Sequence, residues 1–365
     1  MAKNGKRALR SRGRVYQIPI YFGKLLRGFV YMNDWKVLPM AAAIAALVSM
    51  VVRRDFFATM EGTLKGAFAL SCVAIWNGCF NSIQVICRER GILKREHRSG
   101  LHITSYIFSH MLYQALLCLA QTVITVYVCN LCGVKLNAKG FITRSLMIDI
   151  GTTVFLVSYA SDMLSLLVSA IAHSTTAAMT VMPFLLIFQL VFSGGIFTLP
   201  AWANGLSNIT ISNYGLRCIA AQADYNHLPL AAGWDSLVKI EDEPISGETT
   251  AGELLSVAGK LTGDDSRLSQ IIDTATVMVA ADPAYAALAE EKIPFTINLK
   301  DVIDGFGREE LKASIQERTS ASRRNERYEQ SWSNITTCWW VLFGFSMLYA
   351  VLATVVLEFI DRDKR

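Results

Sequence analysis

The chain has no glycine-rich loop of the form Gly-x4-Gly-Lys-Ser/Thr anywhere in its 365 residues, so it carries no recognisable phosphate cradle of its own. Gly-x-Ser-x-Gly and His-Glu-x-x-His are also missing, which removes the common serine-hydrolase and zinc-protease signatures. Ser161-Asp162 with the distant His173 comes nearest to a hydrolytic set and is too weak a pattern to carry one, so no catalytic residue is assigned. The eight cysteines are scattered without zinc spacing, and no metal or cofactor is expected in this chain. Cys129 and Cys132 form a single CxxC at an expected helix end, read as small residues near an interface with a redox pair as the alternative. Charge is scarce: 18% of residues are Asp, Glu, Lys or Arg, where soluble domains carry about a quarter. There is no internal repeat and no low-complexity tract. No cleavable signal peptide is expected either, because about thirty residues separate the basic N-terminus from the first long apolar run.

What fills the chain instead is apolar sequence, 52% of it, gathered in blocks near membrane-spanning length. Six spans are expected, at about 35–52, 67–87, 106–131, 145–172, 177–197 and 335–360. Each reaches across a hydrocarbon core of roughly 30 Å at about 1.5 Å per residue. The fourth and fifth are separated only by Ala-His-Ser-Thr and should form a tight hairpin. Ahead of them, residues 15–31 have helical periodicity, with Val15, Ile18, Phe22, Leu25, Leu26 and Phe29 on one face and Arg14, Gln17, Lys24 and Arg27 on the other. That pattern predicts an amphipathic helix in the membrane interface. The preceding basic tail suits an anionic lipid surface.

The fold class is therefore an all-α polytopic membrane protein: six transmembrane helices, an N-terminal amphipathic elbow helix, and a large extracytoplasmic insertion between the fifth and sixth. Its parts run 1–34 (tail and elbow), 35–198 (five spans), 199–225 (a re-entrant or interfacial hairpin broken by Pro, Gly and Asn), 226–334 (an extracytoplasmic domain) and 335–365 (last span and tail). A charged helix at about 306–329 is expected to run on toward the last span. Orientation follows from Lys and Arg in short loops. With both termini inside, the inner pieces hold 17 such residues and the short outer loops six. The region 199–334 holds twenty acidic against twelve basic residues. The net charge of +5 thus belongs to the inner face and does not point to nucleic acid. The expected location is the plasma membrane, with both termini cytoplasmic.

The stretch 81–106, Asn-Ser-Ile-Gln-Val-Ile-Cys-Arg-Glu-Arg-Gly-Ile-Leu-Lys-Arg-Glu-His-Arg-Ser-Gly-Leu-His-Ile-Thr-Ser-Tyr, carries seven charges before Leu101. A chain this apolar places such a loop at a water-facing surface or docks it on a soluble partner. Asp162 sits deep in the fourth span, where a charge costs at least about 2.5–3.5 kcal/mol; it must face a polar cavity, find a donor or be protonated, and His110 is one candidate partner. Asp149, near the outer end of the same span, is read as reaching headgroups. Asn77, Asn81 and Gln84 fall on one stripe of the second span, either bonding between helices or lining a substrate route. Asn208 and Asn334 match glycosylation acceptors, a pattern common by chance.

In order, these positions resemble the type 2 (ABC-2) transporter membrane domain, closest to the G-subfamily architecture. The resemblance rests on the elbow helix, on the charged loop followed by Gly100-Leu101-His102-Ile103-Thr104-Ser105-Tyr106, and on the short turn between spans four and five. It also rests on Gly194, Gly195, Pro200, Trp202, Ser212, Tyr214 and Gly215 in the outer hairpin. It implies a permease subunit of an exporter, with ATP and Mg bound by an ATPase in trans. A second copy, or a homologous permease, would complete the path. The helix at 88–100 would then couple to the ATPase through Arg88, Glu89, Arg90, Lys94, Arg95 and Glu96. Asn77, Asn81, Gln84 and Asp162 would lie along the path, with Phe192 and Phe197 at an apolar outer gate. An amphiphilic substrate (lipid, peptide or drug-like) is the expectation. The competing reading is a membrane anchor or signalling subunit whose acidic outer domain binds a ligand or partner.

Overall fold

The computed structural model describes residues 13–31, 34–136, 138–195, 204–239, 300, 303 and 307–359, and the backbone of 244–250 and 292–298. The basic N-terminal tail, the C-terminal tail, Phe197, Pro200, Trp202 and most of the insertion lie outside these residues. The described helices are α1 (Arg14–Tyr31), α2 (Val37–Val52), α3 (Met60–Ser82), α4 (Val85–Arg98), α5 (Ile103–Leu131), α6 (Leu146–Ile171) and α7 (Thr175–Val191), followed by α8 (Asn204–Ser207), α9 (Ile211–Gln222), α10 (Ala232–Lys239), α11 (Arg308–Arg323) and α12 (Trp332–Glu358).

Two compact units divide the chain. One comprises Met1–Pro229 with Ser320–Arg365, the other Leu230–Thr319. The second unit departs from an all-helical chain: β1 (Pro244–Thr250) pairs antiparallel with β2 (Lys292–Asn298), Pro244 opposite Asn298 and Thr250 opposite Lys292.

Among the described residues of the first unit, five helical segments are long and apolar enough to cross a membrane, those containing α2, α3, α5, α6 and α12. The expected fifth span is shorter than its apolar run suggests. α7 has 17 residues, about 26 Å of helix, and ends at Val191 rather than near 197.

The centre is the pair α3 and α6, with α12 also packed on α6. These helices approach closely because their facing residues are small. A methyl group at Gly78 of α3 would run into the Ser158 carbonyl of α6, and one at Gly215 of α9 would meet Val157 and Ser71. Helix α9 is buried along most of its length, from Ile211 to Gln222. Its first backbone amides, Ile211 N–H and Ser212 N–H, donate to Gln189 Oε1 at 2.9 and 3.2 Å, so α7 supplies the missing cap. Within the described part of the expected hairpin, α9 thus satisfies its first backbone groups inside protein, as interrupted sequence next to hydrocarbon must.

Three expectations are corrected. Gln17, assigned to the polar face of α1, is buried instead: its side-chain amide donates to Gly100 O at 3.1 Å and accepts from His102 N–H at 2.9 Å. A backbone loop with unpaired groups outcompetes solvent for that amide. Asp149 does not reach outward; it is fully buried and accepts from Ile142 N–H and Thr143 N–H at 3.0 and 2.9 Å, clamping the loop before α6. And α11 does not run into α12. It stops at Arg323, where Asn325 and Asn226 exchange two backbone–side-chain hydrogen bonds of 3.0 and 3.1 Å and a separate turn intervenes.

Because Gly78 sits at the closest approach of α3 to α6, Gly78→Val is expected to cost about 1–3 kcal/mol, the usual penalty of overpacking. A thermal melt in detergent checks it, with Gly91→Ala, which has open space around its Cβ position, as the tolerant control.

Candidate functional site: the charged helix and the buried polar junction

Helix α4 begins and ends where its surroundings satisfy its backbone. Ile86 N–H and Cys87 N–H donate to Ser169 Oγ of α6 at 3.1 and 3.2 Å, filling two of the orphan donors at a helix start. In return, Arg90 Nη1 donates to Ala170 O and Ala172 O at 2.9 and 3.0 Å, filling the orphan acceptors where α6 ends. The two helix ends cap each other. At its far end, Leu101 N–H bonds Glu96 O at 3.0 Å and Gly100 N–H bonds His97 O at 3.1 Å, with Gly100 at φ 101°. This is a Schellman closure, and the left-handed conformation at that position is why glycine follows the helix. The helix is thus Val85–Arg98, starting and ending earlier than the expected 88–100, with Ser169 satisfying its first turn and Gly100 closing its end.

Its faces are unequal. Ile86, Cys87 and Leu93 are buried, and Ile86 and Leu93 join a core with Tyr106, Met163, Leu166 and Leu357. Arg88, Gly91, Ile92, Arg95 and Arg98 are exposed, at intervals of three and four residues, so they share one helix face. The six residues expected to dock a partner therefore divide. Arg88 and Arg95 lie on the open face. Arg90 is turned inward to the α6 cap. Glu96 is turned to the elbow: its carboxylate accepts from the Tyr21 hydroxyl at 2.7 Å and stands 3.6 Å from Lys24 Nζ. Burial, then the bond to Glu96, pushes the Tyr21 phenol up from its ordinary range, keeping it a donor to that carboxylate. Glu89 and Lys94 are half-buried. Helix α1, the expected elbow, is further pinned to α5 by the Ser105 and Ser109 hydroxyls, which donate to Arg14 O at 2.8 Å and Ile18 O at 3.1 Å.

Deeper in the bundle, α3, α5 and α6 meet around Asp162, which is fully buried. The hydroxyl of Ser82 donates to one carboxylate oxygen and the Cys118 thiol to the other, the latter at 3.4 Å. Gln114 Nε2 donates to Ser82 Oγ at 2.9 Å. Beside this, Asn81 and Gln121 exchange reciprocal amide hydrogen bonds of 2.8 and 3.1 Å. His110 is not the partner of Asp162; it packs edge-on against Tyr106, ring centroids 4.5 Å apart. The amide stripe of α3 grades from inside to outside: Asn77 is buried, Asn81 half-buried and Gln84, past the end of α3, exposed. Ser161 is buried, while His173 is exposed beyond the end of α6. About 15 Å of helix separates Ser161 from that end, so the two form no hydrolytic set.

Residues 6–221 match the family described as ABC-2 type transporter. The chain belongs to that family. A curated relative, an ABC transporter ATP-binding/permease protein of Mycobacterium tuberculosis, is 30% identical over 162 residues, 42% of this chain and 18% of the relative. The chain thus spans about a fifth of that relative's length. As an ABC-2 permease it is a multi-pass membrane protein with a role in transport, and the permease domain is not itself the catalytic part.

The ABC-2 match ends at residue 221, one residue before the end of buried α9, and the second compact unit, Leu230–Thr319, lies beyond it in the chain. Phe192 caps the end of α7, half-buried, its ring 4.9 Å from that of Phe188; Phe197 falls outside the described residues. Asn334 is engaged rather than free for glycosylation, accepting from Arg217 Nε at 2.7 Å and donating to Glu329 O at 2.8 Å. Cys218 and Cys338 pack in one buried cluster, and both thiols are free. The sequence did not flag Ser82, Gln114, Cys118, Gln121 or Ser169. Small polar residues recurring every third or fourth position on apolar helices were the available signal.

Since Asp162 is held by donors alone, Asn should substitute better than Leu. Asp162→Leu strands the Ser82 hydroxyl and is expected to lose about 1–3 kcal/mol. Asp162→Asn is expected to lose less than half of that. Melting of both variants in detergent, with transport assayed in parallel, checks the order.

Proposed function

We propose that this chain is the permease subunit of an ABC exporter for an amphiphilic substrate, driven by an ATPase on a separate polypeptide, with α4 as the coupling helix. The observation that carries the reading is the build of α4: a short, capped, rigid helix with an open arginine-rich face and a buried face locked to α6. A charged surface of this kind docks specifically and reversibly, and a rigid helix passes displacement to the helix it caps. Closure of the ATPase dimer on ATP would press on Arg88, Ile92, Arg95 and Arg98, and the Ser169 and Arg90 ties would carry the push to α6. Glu89, Lys94 and Glu96 would hold the helix against the elbow and rim.

The topology that fits is six spans, α2, α3, α5, α6, α7 and α12, with both termini cytoplasmic in the plasma membrane. α7 is counted although it is short. The support is the charge bias of the loops and the pairing of α6 and α7 across the short connection 172–174. A second copy would complete the path. α7 leaves Val181, Phe184 and Ile187 46%, 71% and 56% exposed, a face suited to a second permease or to lipid. Asn77, Asn81, Gln84 and Asp162 would flank the route and Phe192 its outer end. The ATPase carries ATP and Mg; the mycobacterial relative, by its name, combines both parts in one protein. That arrangement is the alternative for the engine.

Affinity capture of the full chain from its native membrane in mild detergent tests the reading. A stoichiometric polypeptide with a Walker A motif is expected. A clean chain with no nucleotide-binding protein, covalently joined or associated, would instead favour an anchor or receptor whose outer unit binds a partner. In the captured complex, Arg95→Glu, on the open face and away from any cavity lining, should leave assembly into the membrane and melting unchanged but remove most of the substrate-stimulated ATPase rate. Arg90→Glu should lower the melting temperature as well, because it uncaps α6. Full stimulation in the Arg95 variant would overturn the coupling assignment.

A further inference from the structure

A cavity of about 310 Å³ opens at the α4 end of the bundle, between the elbow α1, the start of α2, the α3–α4 turn and α5. That lies at the low end of ligand-pocket sizes, about 300–1,000 Å³, with room for a headgroup and the first part of a chain. Its lining is split by chemistry. Leu25, Val37, Phe80 and Leu117 make an apolar side. Lys24 and Arg88 bring two cations, and Asp34 and Glu89 bring two carboxylates. His110 also lines it, 1% exposed, and neither of its ring nitrogens has a hydrogen-bond partner. A buried ring with both nitrogens unpaired is costly unless something supplies the bond.

We propose that this cavity binds a phospholipid whose headgroup carries both a phosphate and a primary amine. Arg88 and Lys24 hold the phosphate, Asp34 and Glu89 hold the ammonium, and His110 bonds a headgroup oxygen. The charge balance selects this class. Lys24 already shares its charge with Glu96 at 3.6 Å, so a purely anionic headgroup would face two carboxylates with little more than one cation left to meet it. A quaternary ammonium could not donate the charge-assisted hydrogen bonds that a primary one gives to carboxylates. The apolar side and the position beside the interfacial elbow fit acyl chains entering from the bilayer. Asn81 and Gln84 also line the cavity, so it adjoins the route proposed above, but lipid binding itself needs only that these helices sit in a membrane.

Native mass spectrometry of the full chain, purified in mild detergent with whatever it retains and titrated with dioleoyl phosphatidylethanolamine, phosphatidylcholine or phosphatidylglycerol, tests this. One phosphatidylethanolamine per chain is expected at about three- to fivefold higher occupancy than the other two, the scale of one half-exposed ion pair. Glu89→Gln should erase that preference, Arg88→Gln should weaken binding of all three, and His110→Phe should lower phosphatidylethanolamine occupancy. Arg88 is on the surface and Glu89 is half-buried, so those two variants remain informative if His110→Phe misfolds. Equal occupancy of the three lipids, or a preference unchanged in Glu89→Gln, overturns the proposal. Displacement of the lipid by soluble phosphoethanolamine at matched concentration would overturn it too, assigning the site to a free headgroup compound.

Discussion

Two helix ends that face each other cannot both be left with bare backbone groups, and this constraint organises the α4 end of the molecule. Ser169 receives the first amides of α4, and Arg90 bonds the last carbonyls of α6. Without that exchange, these backbone groups would have to find water in a place crowded by Ile86, Leu93 and Leu166. The exchange also fixes where α4 begins, which face it buries, and therefore which arginines remain outside. The elbow helix is placed by the same logic. Gln17 fills the backbone groups of the loop after α4, and Tyr21 and Lys24 meet Glu96.

Inside the bundle the organising fact is distance. Gly78 lets α3 lie against the α6 backbone, and that closeness brings Ser82 to Asp162 and Asn81 within reach of Gln121 on α5. The Ser82 hydroxyl and the Cys118 thiol give each oxygen of the Asp162 carboxyl group one donor. The network adds to the few other polar ties among these three helices, such as the Tyr159 hydroxyl to Met111 O at 3.4 Å, and matters because apolar contact drives little association where the solvent is itself hydrocarbon. It also links the spans to the charged helix through α6, so that a push on α4 and a rearrangement around Asp162 would share one rigid element.

Much of this is legible in the sequence. Periodic apolar runs place α2, α3, α5, α6 and α12, because a span of hydrocarbon demands length and apolarity that nothing else in the chain imitates. The turn between α6 and α7 is visible in the break Ala-His-Ser-Thr. The charged stretch from Arg88 to Arg98 announces a water-facing element, and the ordered motifs point to the family that residues 6–221 match. The end of α7 is not legible, since apolar residues continue past the point where the backbone turns.

What the sequence determined by itself is what depends on a residue's own transfer cost between water and hydrocarbon, the long apolar helices and the break before α7, while its ordered motifs pointed to the family. What only the tertiary structure decided is which polar side chain serves which partner. Arg90 and Arg95 are both arginines on one short helix, yet one caps α6 and the other is open to docking. Gln17 reads as solvated and is buried; His110 reads as one candidate partner of Asp162 and packs on Tyr106 instead. Hydrogen-bond pairing depends on positions within about 3 Å in space, and the partners here stand far apart in the chain, Ser82 and Asp162 by 80 positions. No local pattern encodes that meeting.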